Sequence, residues 1–309
     1  MSPGADPGPA DASRSRPPAW LRTGFLLAAA AVRALGPSRY RLADALGNAA
    51  FACQPVRRRT TAANFQRALG PIGRRRARRL AAASYRAYAR TAVDFLHVQT
   101  LSRGEVAALA RVVGLAHLER TDALGRGGIL VLVHHGSWDV AGAAALAHGF
   151  PSRSVMDEGT SRRLTQLVVW TRSRIGLTVV TPERGAGALL RSLRQGGWVS
   201  LLSDIPKETP AVTVPFLGRP SRFSAAPGLL AARTGSPIHA VTCERARDGH
   251  YVIEIQPPVV LRREDDPAAA IRPLVPVFEA AVRRAPEQWF PFDRDRFVDP
   301  AADGDGHGG

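Results

Sequence analysis

The run Gly128-Ile-Leu-Val-Leu-Val133 constrains this chain more than any other stretch. A continuous apolar run of this length, opened by glycine and closed by a polar turn, reads as a strand buried on both faces. Such a strand needs helices above and below it. The sequence downstream supplies them. Short apolar runs near 152–156, 177–181, 198–203, 237–243 and 251–255 read as further strands. The stretches 138–148, 161–175, 185–195, 224–234 and 267–284 read as helices. Strand and helix alternating at this spacing predict an α/β fold with a central sheet flanked by helices.

The N-terminal third has a different texture. From about 38 to 120, Ala, Leu and Arg dominate and the pattern is helical. Tyr85, Tyr88, Ala92 and Phe95 recur at three- and four-residue spacing, which marks one apolar helix face. Before it, Gly24 to Val32 is an apolar run between Arg22 and Arg33. A bilayer span needs about 20 residues, so this run is too short to be read as one. Two readings stand: a helix lying in the membrane interface, or a helix docked on the core. The chain therefore divides into a disordered tail over 1–18, a helical N-terminal region over 19–120, an α/β core over 121–299 and a flexible tail over 300–309.

Charge narrows the partners. The formal net charge is +16, and Lys207 is the only lysine, so the positive charge is arginine. Arg57, Arg58 and Arg59 form one cluster, and Arg74, Arg75, Arg76, Arg78 and Arg79 another. Two readings again stand, a solvated helix face or a surface for anionic headgroups, where each basic residue contributes about 1 kcal/mol. No aromatic RNA-binding motif, zinc-finger spacing or heptad-linked basic region is present, so nucleic acid is not expected as a partner. Cys53 and Cys243 are the only cysteines, which excludes a disulfide scaffold and a four-thiolate zinc site. No H-E-x-x-H or other metal-ligand set appears, and no metal or cofactor is expected.

The buried strand runs directly into His134-His135-Gly136-Ser137-Trp138-Asp139. In open α/β sheets, ligands bind at the carboxyl ends of strands. If a helix starts near Ser137, Asp139 falls in its first turn, where a carboxylate is favoured. It can then accept Nδ1–H from His134, leaving Nε2 free to take a proton from a hydroxyl. His135 is the rival base by position, and a structural histidine at a strand end is the plain alternative. Gly136 permits close approach of a ligand to the backbone. No G-x-S-x-G elbow is present, so the expected chemistry is activation of a bound hydroxyl without an acyl-enzyme.

This segment resembles the His-x4-Asp motif of the glycerolipid and lysophospholipid acyltransferases. The longer string His-x-Gly-x-Trp-Asp is similar to a narrower group, the bacterial lipid A late acyltransferases and the phosphatidylinositol mannoside acyltransferases. Other pieces resemble that group in the same order. They are Arg58-Arg59 with Asn64-Phe-Gln-Arg-Ala-Leu69, Leu189 to Trp198 followed by Leu202-Ser-Asp204, Val214-Pro-Phe-Leu-Gly-Arg-Pro220, Ala226 to Pro237, and Pro286-Glu-Gln-Trp289. The resemblance covers roughly residues 45–297. Departures exist. The lipid A enzymes usually carry Glu where this chain has Asp139. The second histidine, His135, replaces a small or apolar residue. The family's Trp-x-His-x-Arg after PEQW is here Phe290-Pro-Phe-Asp-Arg-Asp-Arg-Phe297.

The resemblance implies an α/β core with a central mixed sheet flanked by helices and an acyl transfer from acyl-CoA or acyl carrier protein to a glycolipid hydroxyl. The acceptor it implies is a phosphatidylinositol mannoside or a lipid A precursor. The place it implies is the cytoplasmic face of the plasma membrane, on an anionic lipid surface. His134 is then the general base and Asp139 its orienting partner. Backbone N–H groups near Gly136 to Trp138 are candidates for holding the oxyanion. Arg174 is a candidate for a substrate phosphate, Asp204 for positioning a polar acceptor or capping the next turn, and Glu208 for assisting His134 or holding a sugar hydroxyl. Phe216, Gly218 and Arg219 match the family's acceptor-side loop. Trp138 and Trp289 read as core or as the wall of an acyl pocket. The acyl chain itself needs an apolar tunnel in the core.

Overall fold

The computed structural model describes residues 16–155, 161–180, 182–206, 210–262, 264–294 and 296–298. Helices come first: α1 (Ala19–Ala34), α2 (Arg39–Cys53), α3 (Pro55–Ala68), α4 (Arg74–Val98) and α5 (Arg103–Leu109). Strand β1 (Ala110–Val113) and α6 (Leu115–Asp122) lead into β2 (Gly128–Leu132), the buried strand of the sequence. Then follow α7 (Trp138–Ala147), β3 (Ser152–Val155), α8 (Arg162–Arg174), β4 (Thr178–Val180), α9 (Pro182–Arg194) and β5 (Trp198–Leu202). The chain continues through β6 (Ala211–Phe216), β7 (Arg219–Ser224), α10 (Ala226–Thr234), β8 (Ile238–Arg245), β9 (Tyr251–Ile255), α11 (Pro267–Ile271) and α12 (Val275–Arg284).

Seven strands form one sheet in the order β1-β9-β8-β2-β5-β3-β4, and β6 and β7 make a separate hairpin. The sheet is mixed: β8, β2, β5, β3 and β4 run parallel, while β9 is antiparallel to β8 and carries β1 alongside it. On β2, side chains alternate between two cores. Ile129, Val131 and Val133 join Phe216, Phe278 and Trp289 on one face. Leu130 and Leu132 join Val140, Ala144 and Tyr251 on the other. Both faces are therefore covered, as the unbroken apolar run requires.

Three local expectations differ from the structure. Strand β1 lies inside the region read as helical. It is only four residues long at the sheet edge, too short to show a period. The β6–β7 hairpin falls outside the expected strands because prolines interrupt both of its runs, which a two-stranded ribbon tolerates. The helix expected over 267–284 is two helices. Pro273 and Pro276 lack the N–H that a continuous helix would need, so the chain turns between them. Residues 1–15 and 299–309, read as tails, lie outside the described residues.

The N-terminal apolar run is a helix docked on the rest of the chain, as one of its two readings had it. One face of α1 is docked, with Phe25, Ala29 and Val32 buried against α4 and α8 through Phe95, Leu96 and Trp170. Its other face leaves Trp20 66% and Leu27 67% exposed. Among the described residues no single helix is long and apolar enough to cross a membrane. One bent pair, α1 with the segment Gly36–Cys53, meets the length and composition test at a 116° bend.

Helix α4 ties this region to the sheet. Asp94 on α4 is buried, and it accepts hydrogen bonds from the hydroxyls of Tyr40 on α2 and Tyr251 on β9. Burial pushes its carboxyl up, and the two hydroxyls pull the other way. Arg90 donates both Nε and Nη2 to Asp44, clamping α4 on α2. The two helices meet at Gly47, where an added Cβ would lie 2.6 Å from Arg86 Cα and 2.8 Å from Tyr85 O. Alanine is favoured over glycine within a helix by about 1 kcal/mol. Here the backbone clash outweighs that gain, so Gly47→Ala is expected to lower the melting temperature. A higher melting temperature for the variant would show that α2 and α4 do not approach this closely.

Candidate active site

The site lies where β2 and β5 end side by side. Their parallel register pairs Leu132 with Leu202, so continuing both strands by two residues sets His134 opposite Asp204. His134 Nδ1–H donates to Asp204 Oδ1 at 2.8 Å, and the His134 backbone N–H sits 3.1 Å from both carboxylate oxygens. An ionised carboxylate only accepts, so Nδ1 carries the proton of this bond, and in the neutral ring that leaves Nε2 bare. The His134 side chain is 28% exposed, while that of Asp204 has no exposed surface.

Asp204 has a second charged partner. Arg296 donates Nη2 to Asp204 Oδ2 at 2.8 Å and Nη1 to the Asp204 carbonyl. Burial pushes the Asp204 carboxyl up. The Arg296 guanidinium and then the His134 ring and its hydrogen bonds outweigh that, and hold it well below the usual carboxylate range. Arg296 itself is buried, with its guanidinium over the rings of Trp289 at 5.4 Å and Phe216 at 5.6 Å.

The expected partner of His134 is thereby corrected. Asp139 does fall in the first turn of α7, as the sequence suggested, and it is buried. Its carboxylate accepts instead from Arg172 Nε on α8, at 2.9 Å. The spacing argument considered only carboxylates local in sequence, and the one that reaches the ring comes from the neighbouring strand. The expected oxyanion donors change too. The N–H of Gly136 donates to Gln288 O and that of Ser137 to Cys243 O, so both are already engaged. Gly136 has φ +63°, and a Cβ there would lie 1.6 Å from Cys243 O. Its role is the turn and this close backbone approach.

The remaining candidates separate into those at the site and those outside it. Trp138 meets the His134 ring edge to face at 5.4 Å, and Phe290 packs on Trp138 at 6.0 Å. Arg174 is exposed over the Trp170 ring at 5.1 Å, whereas Arg172, two residues earlier, reaches Asp139. Phe216 is fully buried, packed on Trp289 at 6.1 Å. Leu217 and Gly218, both at positive φ, form the two-residue turn of the hairpin, with the Leu217 N–H held by Glu279. Arg219 is exposed at that turn. Glu208 lies outside the described residues. Arg172 and Arg296 were missed in the sequence. The Arg-Asp-Arg text after PEQW was the available signal for Arg296.

The segment after α12 encloses the site from below. The Phe290 N–H donates to His134 O, and Asn64 on α3 donates to the carbonyls of Pro291 and Asp293. The Asn64 of the N-terminal motif thus holds the segment that carries Arg296. Beside the site, a narrow apolar cavity runs between the sheet and α7. Its lining reaches from Val112 on β1 across Leu132 to Val155 on β3, and includes Trp138, Gly142 and Asp139. Its lining thus draws on six neighbouring strands, β1, β9, β8, β2, β5 and β3.

His135, the rival base, is buried and donates Nε2–H to Ala285 O at 3.1 Å. Burial lowers it to about 4. It therefore stays neutral in the folded chain at a pH where the unfolded chain, near the ordinary value of 6.5, takes up a proton. Stability attached to this group is full above about pH 6.5 and falls as pH drops towards 4, by about 3 kcal/mol. His135→Gln keeps the donor to Ala285 and removes the titration. Urea titrations at pH 7 and pH 4.5 are expected to show a smaller acid loss in the variant. An equal loss in both would place a charged imidazole in the folded core.

Comparison with known proteins follows this geometry. Residues 11–297 match the family described as bacterial lipid A biosynthesis acyltransferase. A phosphatidylinositol mannoside acyltransferase of Mycolicibacterium smegmatis is 26% identical over 211 residues, 67% of this chain and 69% of that protein. A phosphatidylinositol mannoside acyltransferase of Mycobacterium tuberculosis is 29% identical over 170 residues, 53% of this chain and 54% of that protein. A lipid A biosynthesis acyltransferase of Haemophilus influenzae is 29% identical over 182 residues, 57% of this chain and 56% of that protein. The chain thus spans little more than half the length of the last two.

Proposed function

Since the chain belongs to the family of bacterial lipid A biosynthesis acyltransferases, we propose that it moves a fatty acyl group from a thioester, acyl-CoA or acyl carrier protein, to a hydroxyl of a membrane glycolipid. The observation that carries this reading is the His134 ring at the sheet's carboxyl edge, oriented through Nδ1 by buried Asp204, beside an apolar cavity under α7. Nε2 of His134 takes the proton of the acceptor hydroxyl as its oxygen attacks the thioester carbonyl. The new C–O bond forms, the C–S bond breaks, and the departing thiolate takes the proton back from the imidazolium. Asp139 and Arg172 sit at the cavity wall, where their paired charges border the polar end of the bound chain.

The acceptor we favour is a phosphatidylinositol mannoside. Asp139 in place of Glu supports it, and so do the mycobacterial relatives. A lipid A precursor is the second acceptor, supported by the Haemophilus relative. The enzyme acts at a membrane surface, on the cytoplasmic face. Two features support this. Trp20 and Leu27 on α1 and Leu42 and Leu46 on α2 are exposed apolar side chains. The N-terminal end of α4 carries Arg74, Arg75, Arg76, Arg78 and Arg79 with no acidic residue in its first turn. Positive side chains at a helix N-terminus oppose the helix dipole, and an anionic headgroup relieves that conflict.

Acyl transfer from radiolabelled palmitoyl-CoA and palmitoyl carrier protein tests the proposal, with both glycolipids offered as acceptors. Wild type is expected to label the mannoside, and His134→Ala to lose about 100-fold or more in kcat. Transfer that survives in His134→Ala removes the base assignment. Tight liposome binding with no transfer to either acceptor would make the chain a lipid-binding protein of the same fold. The cavity gives a separate test. An added Cβ at Gly142 would lie 3.2 Å from Leu177 Cδ1. Gly142→Leu therefore fills the space under α7, and is expected to shift donor preference from palmitoyl to shorter chains. An unchanged chain-length profile would place the acyl group elsewhere.

A further inference from the structure

Asp204 is a carboxylate sealed from water, and a lone buried carboxylate does not stay ionised. Among the described residues, the charged and titratable groups around it are Arg296, from the C-terminal segment, and His134 and His135, from the loop after β2, of which His135 is kept neutral by burial. His134 serves as base only while neutral, so during the reaction it supports the Asp204 anion through its ring and backbone N–H groups but not through charge. The cation that remains is Arg296. Its side chain is 3% exposed, and it grips Asp204 at two points, the carboxylate and the backbone carbonyl. It lies over Trp289 and Phe216, both fully buried, so the guanidinium has a fixed seat.

We propose that Arg296 is a positioning residue for acyl transfer: it keeps Asp204 an anionic acceptor so that His134 presents a bare Nε2 to the acceptor hydroxyl. The proposal rests on the acyl-transfer reading of the site. It also gives a structural role to two of the motifs. Phe216 of Val214-Pro-Phe-Leu-Gly-Arg-Pro220 and Trp289 of Pro286-Glu-Gln-Trp289 form the aromatic seat of the guanidinium. Val298 donates its N–H to Pro220 O and so ties the end of the Arg296 segment to the hairpin. Asn64 holds the start of the same segment. Without the cation, burial would raise the Asp204 carboxyl until it holds a proton of its own. A protonated carboxyl no longer demands Nδ1–H from the ring, and the tautomer that frees Nε2 loses its support.

The test uses the full chain with Arg296→Gln, which keeps a donor and loses the charge, and Arg296→Lys, which keeps the charge. Both are compared with wild type for kcat and donor KM across pH, and for the low-field proton signal of His134 Nδ1–H, assigned by its loss in His134→Gln. Arg296→Gln is expected to lower kcat about 100-fold with donor KM within about twofold of wild type, the pattern of lost transition-state stabilisation. The acidic limb of its rate profile moves to higher pH, because Asp204 protonates where it did not before. The low-field signal disappears. Arg296→Lys recovers part of kcat, leaves the limb in place and keeps the signal. The proposal is overturned if Arg296→Gln keeps the wild-type limb and signal, whatever its kcat, since that is the result of a purely structural role. Should Arg296→Gln fail to fold, Arg296→Lys decides: a lost signal or a shifted limb despite the retained charge overturns it. If wild type transfers no acyl group, the reaction assignment fails, and the low-field signal still decides the role of Arg296.

Discussion

Asp204 is the group on which the rest of the site depends. Burying a carboxylate costs several kcal/mol unless charge and hydrogen bonds compensate. Here the compensation comes from three directions at once: the ring and the backbone N–H of His134, and the Arg296 guanidinium. Each of these must be delivered by a different part of the chain. β2 and β5 must be adjacent and in register, the segment after α12 must return beneath the sheet, and the β6–β7 hairpin must close the seat under Arg296. The site is thus a condition that the whole α/β core satisfies together.

The helical N-terminal region contributes in the same way. Thr91 on α4 donates to Gly136 O, and Asn64 on α3 holds the Phe290–Asp293 stretch. Ser84 on α4 donates to the Trp289 carbonyl. These contacts place the loop after β2 and the C-terminal segment against one another. The apolar outer face of α1 and the arginines at the start of α4 are left free of this task. They form an exposed apolar and basic surface on the N-terminal region.

The glycines and small residues have two separate roles. At Gly136 the positive φ and the contact with Cys243 O let the loop after β2 pass close to the β8–β9 hairpin. On α7, Ala141, Gly142, Ala144 and Ala145 face the sheet and keep a cavity open where larger side chains would fill the layer. The same helix therefore starts beside His134 and roofs this cavity. Trp138, in its first turn, touches both.

Much of the fold was legible in the sequence. The unbroken run of β2, the alternation that followed it and the motifs in order all pointed to a mixed α/β sheet with His134 at its carboxyl edge. Strand β1 and the hairpin were not legible, because a four-residue edge strand and a proline-broken ribbon show no period. Asp139 was rightly placed in the first turn of α7, yet the ring it was meant to orient is held by another residue. The sequence by itself determined that β2 is buried and that the His134 loop follows it directly. Only the tertiary structure decided which carboxylate faces His134, since Asp204 lies 70 residues further along the chain. That choice follows from the parallel register of two strands and from a cation supplied by the C-terminal segment. Neither has a signature in local spacing, because both are set by packing between distant parts of the chain.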